Sequence, residues 1–261
     1  MLKLVNVSKT FNPGTITEKK ALIDINLHLN PGDFVTVIGG NGAGKSTLLN
    51  LIAGVHECDT GSIFIDGKDV TDMKEHIRSR YLGRVFQDPM MGTASNMEIE
   101  ENLAMAYRRT KKRGLGWGIT SHEKKLFREK LAYLDLGLED RMKSKVGLLS
   151  GGQRQALTLL MATLETPKIL LLDEHTAALD PKTAARVLDI TDEIIKASKL
   201  TTFMVTHNMK HAIKYGSRLI MMKEGRIIYD VSGEEKKNLE VSQLLSKFQS
   251  DGDANDRMIL N

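Results

Sequence analysis

The sequence predicts an α/β fold with a mixed central sheet, an antiparallel β subdomain and an inserted helical subdomain. Three features carry that prediction. Phe34 to Ile38 is apolar without alternation and leads through Gly39-Gly40-Asn41-Gly42-Ala43-Gly44-Lys45-Ser46-Thr47 into helical spacing. Ile169-Leu170-Leu171-Leu172 is a second unbroken apolar run, closed by Asp173 and Glu174, as strands covered on both faces require. Met1 to Phe11 and Ala21 to Leu29 instead alternate apolar with polar residues, the second clearly so at Ile23, Ile25, Leu27 and Leu29, the pattern of half-buried antiparallel strands.

At 261 residues the chain is long enough to bury a substantial core, as one large or two small domains. A content of 41% hydrophobic and 27% charged residues describes a soluble globular protein. No apolar run is long enough to span a bilayer, and the N-terminus lacks a signal peptide's apolar block, so the chain is expected to stay in the cytosol. A single cysteine, Cys58, excludes an internal disulfide framework and most cysteine-based metal sites. The net charge of +4 is small for a nucleic-acid binder but compatible with an anionic nucleotide or an anionic membrane surface.

Along the chain, Asn12-Pro13-Gly14 and Asn30-Pro31-Gly32-Asp33 mark turns on either side of the second strand. Phe11 closes the first strand, either as a core residue or as a ring placed to stack on a planar base. The Gly39 to Thr47 stretch has the spacing of a phosphate cradle. Its glycines let backbone N–H groups turn inward, and the helix behind presents its positive end to the same anion. Lys45 would reach the β- and γ-phosphates, and the Ser46 hydroxyl would ligate Mg²⁺. Leu48, Leu49, Ile52 and Val55 continue the helix up to the punctuation at Gly54.

Ser62 to Asp66 alternates, and Asp66-Gly67 signals a hairpin. A short apolar strand then reaches Gln87, by itself an ordinary polar loop residue. From Glu98 to Leu160 the texture is helical and charge-rich. Within it Arg108, Arg109, Lys111, Lys112 and Arg113 precede a Gly- and Trp117-containing segment; such a run is a solvated loop or, alternatively, a contact for an anionic membrane surface. Ser150-Gly151-Gly152-Gln153 opens another helix and with it a second anion-binding N-terminus.

Asp173 and Glu174 fall at a strand's carboxyl end, where ligands of open α/β sheets bind. Asp180-Pro181 starts a helix whose buried face is Val187, Ile190, Ile194 and Ile195. Thr201 to Thr206 is a further buried strand with His207 at its end, a position that alone fits a structural histidine. Arg218 to Met222 and Arg226 to Asp230 pair across Glu224-Gly225, and Val241, Leu244, Leu245 and Phe248 mark a final amphipathic helix.

In this order the motifs resemble those of the ATP-binding-cassette ATPases over nearly the whole chain. Gly39 to Thr47 is similar to the family's phosphate loop, Gln87 to its glutamine loop and Leu149 to Gln153 to its signature. Ile169 to Asp173 resembles the second nucleotide motif, Glu174 the catalytic carboxylate, Ala178-Leu179-Asp180 the dimer-contact loop and His207 the switch histidine. One departure is His175, where the family usually has proline. Whether its ring approaches the phosphates or faces solvent stays open. The basic Arg108 to Gly118 stretch is the other.

The resemblance implies a single cassette domain. Residues 1–88 and 161–232 would form the catalytic core with its antiparallel β subdomain, 89–160 the helical subdomain and 233–261 the C-terminal helix and tail. It implies an ATPase in which two cassettes, a homodimer or another paired cassette, close head to tail on two ATP. Each phosphate loop, with Phe11 stacked on adenine, would face the partner's Ser150, Gly151, Gly152 and Gln153, and Asp180 would contact the partner. Ser46, Gln87 and Asp173 would hold Mg²⁺, Glu174 would polarise the attacking water, and Lys45 and His207 would meet the γ-phosphate. It further implies an integral membrane permease, a separate solute-binding protein, no nucleic acid, and a place on the cytoplasmic face of the membrane. The solute would be small and amino-acid-like. Alternatives are an exporter, a cassette ATPase acting on nucleic acid or ribosomes, and a non-hydrolysing assembly subunit. The chain has neither the second cassette nor the coiled-coil insertion common in the nucleic-acid group, and it keeps the carboxylate and histidine that a non-hydrolysing subunit would lose.

Overall fold

The computed structural model describes residues 1–111 and 118–249. In chain order the first elements are β1 (Leu2–Phe11), β2 (Lys19–Leu29), β3 (Phe34–Gly39), α1 (Lys45–Ala53), β4 (Thr60–Ile65), β5 (Lys68–Asp69) and α2 (Glu75–Arg78). Next come β6 (Leu82–Val85), α3 (Ile99–Tyr107), α4 (Ser121–Ala132), α5 (Gly151–Thr163), β7 (Ile169–Asp173) and α6 (Pro181–Ser198). The chain then continues through β8 (Thr201–Val205), α7 (Met209–Lys214), β9 (Arg218–Lys223), β10 (Arg226–Ser232), α8 (Gly233–Lys237) and α9 (Val241–Gln249). Two compact units result: Met1–Tyr81 with the described residues from Lys199 on, and Leu82–Ser198.

In the first unit β2, β1, β4 and β5 form an antiparallel sheet in that order. Leu2 pairs with Leu29 on one side and Ile65 on the other, and Leu4 with Leu27 and Ile63, so these apolar side chains share one face. The alternation is not continuous. Asn6 and Asp24 have φ of 48° and 51°, and the register slips there, so Val7, Ala21 and Leu22 are buried while Ile23 is only half-buried. This corrects the expected inward phase at Ile23, because a bulge shifts the two-residue period by one. The amide of Asn26 spans the irregularity, accepting from Asn6 N–H at 3.0 Å and donating to Asn6 Oδ1 at 2.9 Å.

β3 is buried along its whole length and pairs in parallel with β8 and β9, while β9 turns back antiparallel into β10, which makes this sheet mixed. The expected hairpin turns have the predicted geometry: Asp66 and Gly67 lie at φ 53° and 77°, Glu224 and Gly225 at 47° and 77°. α9 lays Leu244, Leu245 and Val241 onto a cluster of Ile38, Met209, Leu219 and Met221, so the final amphipathic helix covers the sheet.

In the second unit β6 and β7 pair in parallel, Leu82 opposite Ile169 and Val85 opposite Leu172. α3, α4 and α5 pack together, burying Leu103, Phe127, Leu131, Leu157 and Leu160. At the basic stretch, Arg108 pairs with Glu123 at 2.9 Å and Lys111 with Glu165 at 3.1 Å. These two cations thus serve this unit's own carboxylates. Lys112 to Trp117 lie outside the described residues, as does the tail from Ser250.

Candidate nucleotide site

The phosphate cradle is built where three elements of the first unit meet. β3 delivers Gly39, whose added Cβ would lie 2.4 Å from the Met222 carbonyl oxygen on β9. At the far end Gly44 has φ 101°, and a Cβ there would lie 2.6 Å from the Ala21 carbonyl oxygen on β2. Both positions therefore require glycine. The turn between β9 and β10 clamps the loop from outside, Gly225 N–H donating to the Ala43 carbonyl at 3.1 Å and its own carbonyl accepting from Ile23 N–H at 2.9 Å.

Gly44 is the N-cap of α1 and supplies no side-chain acceptor, and the positive end of the helix dipole there favours an anion. Lys45 is 7% exposed, and its ammonium donates to the carbonyls of Gly39 at 2.8 Å and Gly40 at 3.0 Å. It is thus fixed at the loop's mouth. Asn41, Gly42 and Ser46 are exposed there, and Thr47 is half-buried. Lys19 brings a second ammonium, 3.1 Å from where a Cβ on Gly42 would stand. Phe11 is half-buried at the end of β1, edge-on to His56 at 5.3 Å. His207 is exposed just after β8, in front of Asn208, whose side chain caps α7 by accepting from His211 N–H at 3.0 Å.

In the second unit Asp173 ends β7 with Arg84 Nη2 3.7 Å from its carboxylate. Glu174 follows at φ 43°. Asp180 caps α6, accepting from Thr183 N–H at 3.1 Å, and the hydrogen bonds from Thr183 hold its carboxyl below the usual range. Ser150 and Gln153 form a reciprocal box at the start of α5, Gln153 N–H donating to Ser150 Oγ at 3.3 Å and Ser150 N–H to Gln153 Oε1 at 3.2 Å. A Cβ on Gly152 would lie 2.1 Å from Thr183 Cγ2, so that glycine lets the signature turn and the first turn of α6 touch. Gln87 is exposed in the loop after β6, and the buried Gln155 of α5 fixes that loop by donating to the Phe86 carbonyl at 3.1 Å.

Three of these contacts were not visible in the sequence. Arg84, Gln155 and Lys19 lie far along the chain from the residues they serve and carry no motif of their own. His175 is a correction to the solvent-facing alternative: it is 2% exposed, against Thr191 of α6. Among the described residues no three His, Cys, Asp or Glu side chains gather into a metal cage. The available donors near the motifs are hydroxyl, amide and carboxylate oxygens, which fit a hard ion such as Mg²⁺ shared with phosphates rather than a soft transition metal.

A glycine-walled loop between a buried parallel strand and a helix start, with a second strand ending in carboxylates, defines a phosphate-loop nucleotide-binding protein. The family model for ABC transporters matches residues 22–177, and the chain belongs to that family as an ATP-binding, ATP-hydrolysing cassette. It is 44% identical over 254 residues to a tyrosine transport ATP-binding protein from Clostridioides difficile, an alignment covering 95% of this chain and 99% of that one. It is 34% identical to a phosphonates import ATP-binding protein from Lactobacillus acidophilus, covering 90% of each. Among solved structures it is similar to a dimeric ATP-binding cassette in a post-hydrolysis state bound to ADP and Pi, with a TM-score of 0.76 and 30% identity over 89% of this chain and 98% of that one. Among the described residues no helix is long and apolar enough to cross a membrane.

Proposed function

We propose that this chain is the ATPase subunit of an import system for a small, amino-acid-like solute, coupled to a separate integral membrane permease and fed by a solute-binding protein. The observation that carries this reading is the 44% identity, over almost the full length of both chains, with a protein of tyrosine transport. The subunit works at the cytoplasmic face of the membrane. Residues 1–88 and 161–232 act as its catalytic core, 89–160 as the subdomain facing the permease and 233–261 as an appendage.

Two chains pair head to tail, each phosphate loop facing the partner's Ser150 to Gln153, with Asp180 at the contact. Phe11 stacks on adenine, and the loop from Gly39 to Thr47 wraps the phosphates with backbone N–H groups. Lys45 exchanges loop carbonyls for β- and γ-phosphate oxygens. Ser46, Gln87 and Asp173 would hold Mg²⁺, which would supply positive charge to the phosphates. Glu174 orients and polarises the attacking water, and His207 contacts the γ-phosphate as charge develops on it.

The test uses vesicles carrying this chain together with the permease and solute-binding protein that co-purify with it. ATP-driven uptake of labelled tyrosine should be measurable. Glu174→Gln should abolish uptake and cut ATP turnover by about 100-fold or more while leaving ATP binding intact. Turnover at the parent's rate would remove Glu174 from the mechanism, and ATP turnover that no amino acid stimulates would remove the solute class.

A further inference from the structure

Glu174 leaves β7 at φ 43°, in the left-handed region that costs free energy for any residue with a Cβ. Such a conformation persists only where neighbouring groups fix it. On the N-terminal side β7 supplies that support, buried and paired with β6. On the C-terminal side a turn closes, Ala177 N–H donating to the Glu174 carbonyl at 2.9 Å and Leu179 N–H to the Thr176 carbonyl at 3.2 Å.

The buried side chain of that turn is His175, whose Nε2 lies 3.3 Å from Thr191 Oγ1 on α6. Thr191 is itself buried and commits its one hydroxyl hydrogen to the Val187 carbonyl at 2.7 Å. Its oxygen is then the acceptor towards the ring, so Nε2 of His175 carries the hydrogen.

We propose that His175 is a positioning residue for hydrolysis: by donating from Nε2 to Thr191 it pins the turn to α6 and holds Glu174 in its left-handed conformation, with the carboxylate at its working angle. The inference rests on Glu174 being the catalytic carboxylate. α6 is a long helix anchored by its own apolar face, Val187, Leu188, Ile190 and Ile195, so it gives the turn a rigid reference. A carboxylate displaced by about 1 Å from its water costs up to about 100-fold in rate, which makes a remote hydrogen bond visible in kcat.

Thr191→Val keeps the shape of the side chain and removes the acceptor, whereas Thr191→Ser keeps the acceptor. Thr191→Val should lower kcat about tenfold with KM for ATP and binding of a fluorescent ATP analogue within twofold of the parent. Thr191→Ser should restore the rate. In the nucleotide-free protein, amide hydrogen exchange across residues 174–179 should quicken in Thr191→Val and not in Thr191→Ser. In a Glu174→Gln background Thr191→Val should have no further effect on the residual rate.

If Thr191→Val does not fold, His175→Gln, whose amide can still donate, and His175→Ala, which cannot, give the same contrast. A parental kcat in Thr191→Val overturns the proposal. So does an equal loss in the valine and serine variants, or a loss of nucleotide affinity in step with kcat, since a general packing defect produces both. Glu174→Gln turning over like the parent would fail the underlying assignment instead, and is read in a separate variant.

Discussion

Arg78 carries a cation into the first unit with 2% of its surface exposed, and what receives it is carbonyl oxygen alone among the contacts described. Its guanidinium donates to Leu51 at 2.7 Å and Ile52 at 3.3 Å, in the last turn of α1, and to Thr71 and Met73 at 3.1 Å each, with Val70 as a further partner. The C-terminal end of a helix is the negative end of its dipole, so a cation is well placed there. The same helix offers its positive end to phosphate through Gly44 and Lys45. Burial pushes the guanidinium's pKa down, yet arginine keeps its proton at any ordinary pH. Arg78→Met should therefore leave several buried carbonyls without donors and destabilise the protein by about 3–5 kcal/mol, read as a lower denaturant midpoint. Arg78→Lys should recover only part of the loss, because a single ammonium cannot reproduce the planar fork. A change under about 1 kcal/mol in Arg78→Met would show that water replaces the guanidinium.

At the scale of elements, sequence patterns located those whose signal is local. Strand β3 is a buried run interrupted only by Thr36 and β7 an apolar run up to Asp173, both hairpins sit on a left-handed residue followed by glycine, and α5 and α6 begin at Ser150 and Asp180, each able to accept from the first turn. What the sequence did not disclose depends on partners distant in the chain. The phase slip at Asn6 and Asp24 becomes visible only when β1 and β2 are laid side by side. α7, at six residues, is too short for its period to stand out, and it forms because Asn208 caps it and Met209 and Ala212 are buried under it. Its far end is held by Lys236 of α8, a buried lysine that in sequence is one of two adjacent lysines in a charged run. The Lys236 ammonium donates to the Tyr215 carbonyl and, at 2.8 Å, to that of Gly216. Burial lowers its pKa to about 8. An unfolded lysine titrates near 10.4, so between roughly pH 8 and 10 the unfolded chain binds more protons than the folded one, and this group's contribution to stability rises with pH. Parent and Lys236→Met, unfolded in urea at pH 7, 8, 9 and 10, should show the parent gaining on the variant across the upper three. A constant difference would mean that the carbonyl cage keeps the ammonium charged through that range.

At the scale of the whole molecule, the sequence has one phosphate loop, while among the described residues two helix starts have the chemistry of an anion site, α1 behind Gly44 and α5 behind Ser150. The second of these is ordered by contacts within its own unit. The Ser150 and Gln153 box fixes its first turn, Gly152 lets it close on Thr183, and Ser150 and Gly151 remain exposed. Exposed N–H groups at a rigid helix start suit an anion presented by another molecule. That helix start was legible as a motif, but the reason for its glycine was not, since Thr183 lies beyond β7 in the chain. The similar solved cassette with ADP and Pi is a dimer, and nucleotide sites shared between two copies would give α5 its phosphate. The shared-site reading makes a quantitative prediction in chains blocked by Glu174→Gln. These should be monomeric without nucleotide and dimeric with ATP and Mg²⁺, retaining about two ATP per dimer. Adding Ser150→Arg to the same chain should abolish trapping in the doubly substituted homodimer. In a mixed population isolated by two affinity tags, one composite site keeps an intact signature and the other has none, so trapped ATP should fall to about half. Full occupancy of the mixed dimer would mean that Ser150 takes no part in holding the nucleotide. Complete loss would mean that the two sites close only together, a cooperativity that half-occupancy would exclude.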